Sequence, residues 1–378
     1  MTQFFATCAR GLETVLAREL VGLGAAPIEV GRGGVFFSGG IVELYKANLW
    51  LRTAVRVLRP VFDGPVFSPD ELYDAVRTIR WDQYLTPNHT LAVDCNVRDS
   101  NITHSQYASR RVKDAICDQF REETGVRPSV DTERPMLGLN LHISKNRAIL
   151  SLDSSWDSLH KRGYRPIQTR APLNEALAAG LLLHLGYDGN FPLVDWMCGS
   201  GTFLVEGAWI AMRRPPGLTR KWYSFFGGLD FDKGLWGDIR DTAREEVATT
   251  LAFPPRGSDV RADAVELAKH NAKGAGIGHL VHVEKLELGE ARPKPGEPPG
   301  LIICNPPYGE RLGEEDEWIP LHRKMGAAFA EHWPGWRLAL FTASDKLAKQ
   351  LKQKVTRTTH FYSGSLPFRF SSFSQMGR

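Results

Sequence analysis
A chain of 378 residues is long for one hydrophobic core, so two or three domains are expected. Its hydrophobic content of 42%, charged content of 24% and net charge of +4 are ordinary for a soluble globular protein, and that charge permits an RNA partner without demanding one. Five scattered cysteines with no paired spacing argue against a disulfide framework or a zinc site and suit a reducing cytoplasm, and no stretch approaches the roughly 20 apolar residues that span a bilayer.

The first ten residues lack a charged leader followed by an apolar run, so no signal peptide is expected. Gln3 to Thr7 reads as a strand, and Leu12, Val15, Leu16, Glu19 and Leu20 then recur at helical spacing. The glycine-rich turn Gly31 to Gly34 leads into a strand at Val35 to Ser38. A helix is predicted over Ile41 to Leu51 and a strand over Arg52 to Phe62, closing a small α+β module near Pro65. Ser68-Pro69-Asp70-Glu71 is a helix-start signal. A strand at Thr90 to Val97 and a helix at Ser105 to Glu122 follow, then strands at Leu137 to Ile143 and Arg147 to Asp153, joined by a hairpin turn at Ser144-Lys145-Asn146.

From about Arg170 strands alternate with helices. The predicted strands are Phe191 to Trp196, a segment ending at Asp259, Val281 to Leu286 and Leu301 to Cys304; helices run from Thr202 through Met212 and from Ala262 to Gly274. Such alternation predicts an α/β fold with a parallel, doubly wound sheet, and domain boundaries near residues 65 and 165.

Asp195-Trp-Met-Cys198-Gly199-Ser200-Gly201-Thr202 falls where the first of these strands meets its helix. Ligands of open α/β sheets bind beyond the carboxyl ends of strands. Glycines let the backbone approach a ligand closely, free amides at the helix start favour a carboxylate or phosphate, and Asp195 would pair with an ammonium group. The set suits the amino-acid end of S-adenosylmethionine better than a pyrophosphate, although alone it also fits a nucleotide-binding or purely structural turn. Asp259, ending the next strand, is placed to accept from ribose hydroxyls, and Glu287, after the third, to hold the adenine amino group; exposed acids at strand ends are also common without a role.

Asn305-Pro306-Pro307-Tyr308 directly follows the apolar strand Leu301 to Cys304. An amino group on a base is a poor nucleophile because its lone pair is delocalised into the ring. Accepting its two N–H bonds with the Asn305 side-chain oxygen and the Pro306 carbonyl would aim that lone pair at a methyl donor and stabilise the charge developing on nitrogen. Tyr308 offers a flat face for a flipped base.

These residues resemble the Rossmann-fold methyltransferases of exocyclic amines. Asn305-Pro-Pro-Tyr-Gly-Glu-Arg311 and Cys198-Gly-Ser-Gly-Thr202 are more closely similar to the THUMP-domain RNA guanine-N2 methyltransferases, as are Phe5 to Glu13, Ser105 to Ile116 and Leu159-His-Lys-Arg-Gly-Tyr-Arg165. Within that group the match is to the N-terminal half of the bacterial 23S rRNA enzymes, which are often fused to a second methyltransferase; this sequence ends after the first catalytic domain, so the second activity is not expected. The resemblance implies a ferredoxin-like module over 1–65, a THUMP RNA-binding domain over 66–165 and a class I methyltransferase domain over 166–378. It further implies guanine-N2 methylation in 23S rRNA and, by Pro172-Leu-Asn-Glu175, that Pro172 flanks the cofactor. Trp196, where the family has proline, and Glu287, where aspartate is commoner, depart from the pattern.

Candidate RNA contacts are the basic clusters: Lys161, Arg162 and Arg165 with Arg170; Arg110 and Arg111 with Lys113; Arg311; and Arg220 and Lys221, which with Arg213 and Arg214 surround Trp222 and Tyr223. Replacing Arg220 and Lys221 is expected to weaken RNA binding and flatten its salt dependence. Lys346, Lys349, Lys352, Lys354 and Arg357 read as a solvated helix face. Cys198 and Cys304 lack electropositive neighbours and read as buried small residues rather than nucleophiles, and no histidine spacing suggests a metal. A tRNA substrate, a non-catalytic RNA-binding assembly factor and DNA adenine methylation are the competing readings. The oligomeric state is open.

Overall fold
The computed structural model describes residues 1–165, 173–307, 314–342, 344–363 and 366–375. Two compact units emerge, one built from 1–7, 17–159 and 220–241, the other from 8–16, 160–219 and 242–378.

The first unit holds an eight-stranded sheet with β1 (Thr2–Cys8), β2 (Ile28–Gly31), β3 (Gly34–Gly39), β4 (Ala54–Pro65), β5 (Thr90–Arg98), β6 (Ser129–Val130), β7 (Leu137–Ser144) and β8 (Arg147–Asp153), ordered β2-β3-β1-β4-β8-β7-β5-β6. The expected break near residue 65 is no gap in this sheet. β4 is twelve residues long and pairs antiparallel with β8 from Leu58↔Asp153 to Pro65↔Arg147, so one strand serves both modules. Ser68 accepts the Glu71 amide at the start of the helix Pro69–Arg77, as the helix-start signal predicts. Lys145 and Asn146 form a two-residue hairpin turn with φ of 52° and 59°, the left-handed pair that matches strand twist.

Residues 220–241 belong to this unit although the chain on either side does not. Tyr223, Phe225 and Trp236 are buried, and Tyr45 stacks on Phe225 with centroids 4.8 Å apart. Ser224 Oγ accepts the Gly138 amide at 2.8 Å. This corrects the expectation that Tyr223 faces substrate, since it is fully buried among protein rings, while Trp222 beside it is half-buried.

The second unit contains β9 (Leu193–Asp195), β10 (Arg256–Asp259), β11 (His282–Lys285), β12 (Leu301–Cys304), β13 (Arg337–Thr342), β14 (Lys354–Ser363) and β15 (Leu366–Ser374), ordered β11-β10-β9-β12-β13-β15-β14. β9 to β13 are parallel, and β15 runs antiparallel between β13 and β14. The chain moves outward from β9 through β10 to β11, then returns to β12 on the other side of β9, so the topological switch point lies between β9 and β12. Both faces are covered. Leu193, Leu301 and Ile303 face one apolar layer with Leu177, Leu181 and Phe203; Val194, Ile302 and Cys304 face another with Met325 and Phe329. Burial on both sides explains why these strands are continuous apolar runs. The C-terminal lysines do not share one helix: the helix Asp345–Lys349 is short, and Lys354 and Arg357 lie on β14, the outermost strand.

Candidate active site
Two strand ends meet at the switch point. Ile303 on β12 pairs with Asp195 on β9, so Asn305 emerges two residues beyond the neighbour of Asp195. Asp195 is 2% exposed, and its Oδ1 accepts the Met197 amide at 3.1 Å. Burial, reinforced by the nearby Asp259 carboxylate, pushes the Asp195 carboxyl up to about 8.

The turn after β9 is held from three sides. The Cys198 amide donates to the Ser258 carbonyl at 2.9 Å and the Gly199 amide to Asp259 Oδ2 at 3.0 Å, tying the loop to the end of β10. Gly199 and Gly201 have φ of 51° and 77°. A Cβ on Gly201 would sit 3.1 Å from the Cβ of Ala268, whereas nothing lies within 4 Å of one on Gly199, which leaves open space for a ligand beside the backbone. Asn271, fully buried, donates from Nδ2 to the Ser200 carbonyl at 2.9 Å. Ser200 and Thr202 place their hydroxyls 3.2 Å apart at the start of the helix Thr202–Ala211. Asp259 Oδ1 accepts the Arg261 amide at 3.0 Å, and its carboxylate keeps lone pairs for further donors.

Asn305 Oδ1 is buried and accepts no hydrogen bond among the described residues. Such an acceptor costs free energy unless a ligand donor completes it. Pro306 is buried beside it; Tyr308, Arg311 and Pro172 lie outside the described residues. Glu287 is two residues past the end of β11 and largely exposed, and its Oε2 pairs with Lys324 Nζ at 3.1 Å. The structure thus brings Asp195, residues 198–202, Asp259 and Asn305 to one end of the sheet, with Glu287 at its margin. Burial pushes the Cys198 and Cys304 thiols well up, with the Asp195 carboxylate adding to both, which fits their reading as buried small residues.

Sequence reasoning missed Asn271 and Ala268. Their signal was a stripe of small residues, Ala264, Ala268 and Ala272, with one asparagine at helical spacing on the helix Ala262–Gly274.

The basic candidates divide by burial. Arg110, Lys161 and Lys221 are exposed. Arg111 pairs with Asp70 at 2.8 Å and lies over the Tyr73 ring. Arg162 is 3% exposed and faces Glu206 at 3.6 Å inside the second unit, so its guanidinium is not offered to RNA. Arg165 is turned inward onto Glu175. Arg220 donates to the carbonyls of Ser155 at 2.9 Å, Asp157 at 2.7 Å and Ser158 at 3.0 Å, with the Tyr223 ring 4.9 Å away. These bonds fix the chain within the first unit, which corrects its reading as a substrate contact. Arg220→Ala is expected to cost about 2 kcal/mol and lower the thermal midpoint. An unchanged midpoint with selectively weakened RNA binding would restore the substrate role.

Among the described residues no group of three or more candidate metal ligands occurs, and no helix is long and apolar enough to cross a membrane. Residues 162–371 match the RMKL-like methyltransferase domain, 68–153 the THUMP domain and 3–58 the RlmL ferredoxin-like domain. The chain is 42% identical to Ribosomal RNA large subunit methyltransferase K/L of Syntrophotalea carbinolica, over 98% of this chain and 53% of that protein. It therefore spans about half the length of the curated relatives of that name. It is 38% identical to slr0064 of Synechocystis, provisionally named an RNA methyltransferase, over 96% of this chain and 94% of that one. Among solved structures, SMU.472, provisionally described as a methyltransferase and complexed with SAH, has a TM-score of 0.90 at 29% identity and covers 100% of this chain and 99% of its own.

Proposed function
Since the chain belongs to the RMKL-like methyltransferase family, we propose that it methylates the exocyclic N2 of a guanine in 23S rRNA, using S-adenosylmethionine. The observation that carries this reading is the buried, unpartnered Oδ1 of Asn305 at the switch point, beside Asp195 and the glycine turn. An acceptor in that place asks for an N–H donor, and an amino group on a base is one. The neighbour crystallised with SAH and the relatives named for large-subunit rRNA support the cofactor and the substrate class.

When bound, the cofactor supplies an electrophilic methyl on a sulfonium. Asp195 would receive its ammonium group, the amides and open backbone of residues 199–202 its carboxylate end, and Asp259 its ribose hydroxyls. Glu287 would reach the adenine only by leaving Lys324. Asn305 Oδ1 and the Pro306 carbonyl accept the two N–H bonds of the guanine amino group, turning its lone pair out of conjugation and toward the methyl. Both acceptors would stabilise the positive charge that develops on that nitrogen as it takes the methyl and the sulfur departs as a neutral thioether, and one of its protons would then pass to water. Tyr308 would stack on the flipped base. We assign residues 1–65 and 66–165 to holding the RNA and 166–378 to catalysis, with the exposed Arg110, Lys161 and Lys221 as phosphate contacts and Arg311 as a further RNA contact. Ribosomal RNA would be met in the cytoplasm.

The test offers labelled cofactor to unmodified 23S rRNA and to unmodified tRNA, followed by nucleoside analysis. N2-methylguanosine in 23S rRNA is expected. Label confined to tRNA would overturn the substrate, and label on adenosine the target atom.

A further inference from the structure
The side chain of Arg165 is nearly buried, and so is that of its partner Glu175. The guanidinium donates from Nε to Glu175 Oε1 at 2.9 Å, and its Nη2 lies 2.5 Å from the same oxygen. Nη2 also donates to the Leu173 carbonyl at 3.1 Å, and Nη1 to Thr202 Oγ1 at 3.3 Å. Thr202 Oγ1 is in turn 3.2 Å from Ser200 Oγ. Charged groups are thus linked in series from Glu175 through Arg165 to the first residue of the helix that follows the glycine turn.

A buried ion pair is a poor device for stability alone, because desolvating two charges offsets most of their attraction. A rigid, planar fork is a good device for position, since two ends fixed on one carboxylate define where the third nitrogen points. Asn271 holds the same turn through the Ser200 carbonyl. Resting on the cofactor reading above, we propose that Arg165 is a positioning residue for the cofactor turn: anchored by Glu175 and Leu173, it orients Thr202 and through it the amides of residues 199–202. This role replaces the RNA contact expected for Arg165. It makes the His160-to-Arg165 stretch part of the cofactor site's support.

The test measures SAH affinity by calorimetry, with cofactor KM and RNA KM, for wild type, Arg165→Lys, Thr202→Val and the double variant. Lysine keeps the charge but loses the fork. Arg165→Lys is expected to weaken SAH binding and raise the cofactor KM about tenfold, with RNA KM within about twofold of wild type. Thr202→Val removes the other end of the link, so Arg165→Lys should cost less in the Thr202→Val background than alone. Unchanged SAH affinity in folded Arg165→Lys, or strictly additive effects, would overturn the proposal. A rise in RNA KM alone would do the same. Should Arg165→Lys not fold, an SAH affinity for Thr202→Val equal to wild type would overturn it, and a loss of about threefold would support it. Asp259→Ala guards the underlying reading. If it binds SAH as wild type does, the cofactor site itself is misplaced, whatever Arg165→Lys shows.

Discussion

Asn305→Ala is expected to lower single-turnover methyl transfer by about 10²–10³-fold, the cost of removing one preorganised partner of a developing charge, while SAH affinity stays within about twofold. The difference follows from the proposed role of Asn305 Oδ1 as an acceptor for the amino group of the base, a demand that peaks when the nitrogen becomes positive. A second signature separates this from damage to the fold. Oδ1 is buried without a donor, so deleting it removes a desolvated acceptor that nothing repays in the free protein. The thermal midpoint of Asn305→Ala should therefore equal or exceed that of wild type. A buried acceptor without a donor lowers stability, a cost that a site awaiting a ligand donor can carry. Full activity in Asn305→Ala would end the role assigned to this side chain. A matching loss of SAH affinity would move it from the base to the cofactor.

What could be read from the chain was what is decided locally. Glycines at 199 and 201 are required by their positive φ, Ser68 caps its own helix, and Lys145-Asn146 sets its own hairpin. The apolar strand Leu301–Cys304 is legible because both of its faces are covered, and Asn305 follows from its end. What could not be read depends on partners far along the sequence. Arginine at 162, 165 or 220 has the same charge whether it meets a phosphate or Glu206, Glu175 and the Ser155 carbonyl; only the fold decides which. Tyr223, next to Trp222 among arginines, looks like a base-stacking face until it is found packed on Phe225 and Trp236. The β14–β15 pair was equally hidden, since the lysine spacing that runs into β14 imitates a helix face and β15 pairs on its other side with β13, far back in sequence.

Asp195→Asn is expected to stabilise the free protein at neutral and alkaline pH while weakening SAH binding about 10²-fold. The sign follows from its environment. Burial lifts the folded carboxyl to about 8, against an ordinary value of 3.8, so folding favours the protonated form. Its contribution to stability is complete below the ordinary carboxylate range and is lost as pH rises from about 4 towards 8. Asparagine has the shape of the neutral acid and can still accept the Met197 amide, but it never ionises. The midpoint advantage of Asp195→Asn should thus be small at pH 5 and grow to about 2 °C or more by pH 9. Binding carries the complementary signature. At pH 7 the free carboxyl is mostly protonated, so pairing it with the ligand's ammonium must expel that proton. Calorimetry of SAH binding in buffers of different ionisation heat should find release approaching one proton at pH 7, falling away by pH 9 and absent in Asp195→Asn. Proton release that does not change between pH 7 and 9, or SAH affinity untouched by the substitution, would mean that Asp195 is a buried structural acid and that the ammonium lies elsewhere. The same carboxyl would then be costing stability for no return, which is the condition selection removes most readily.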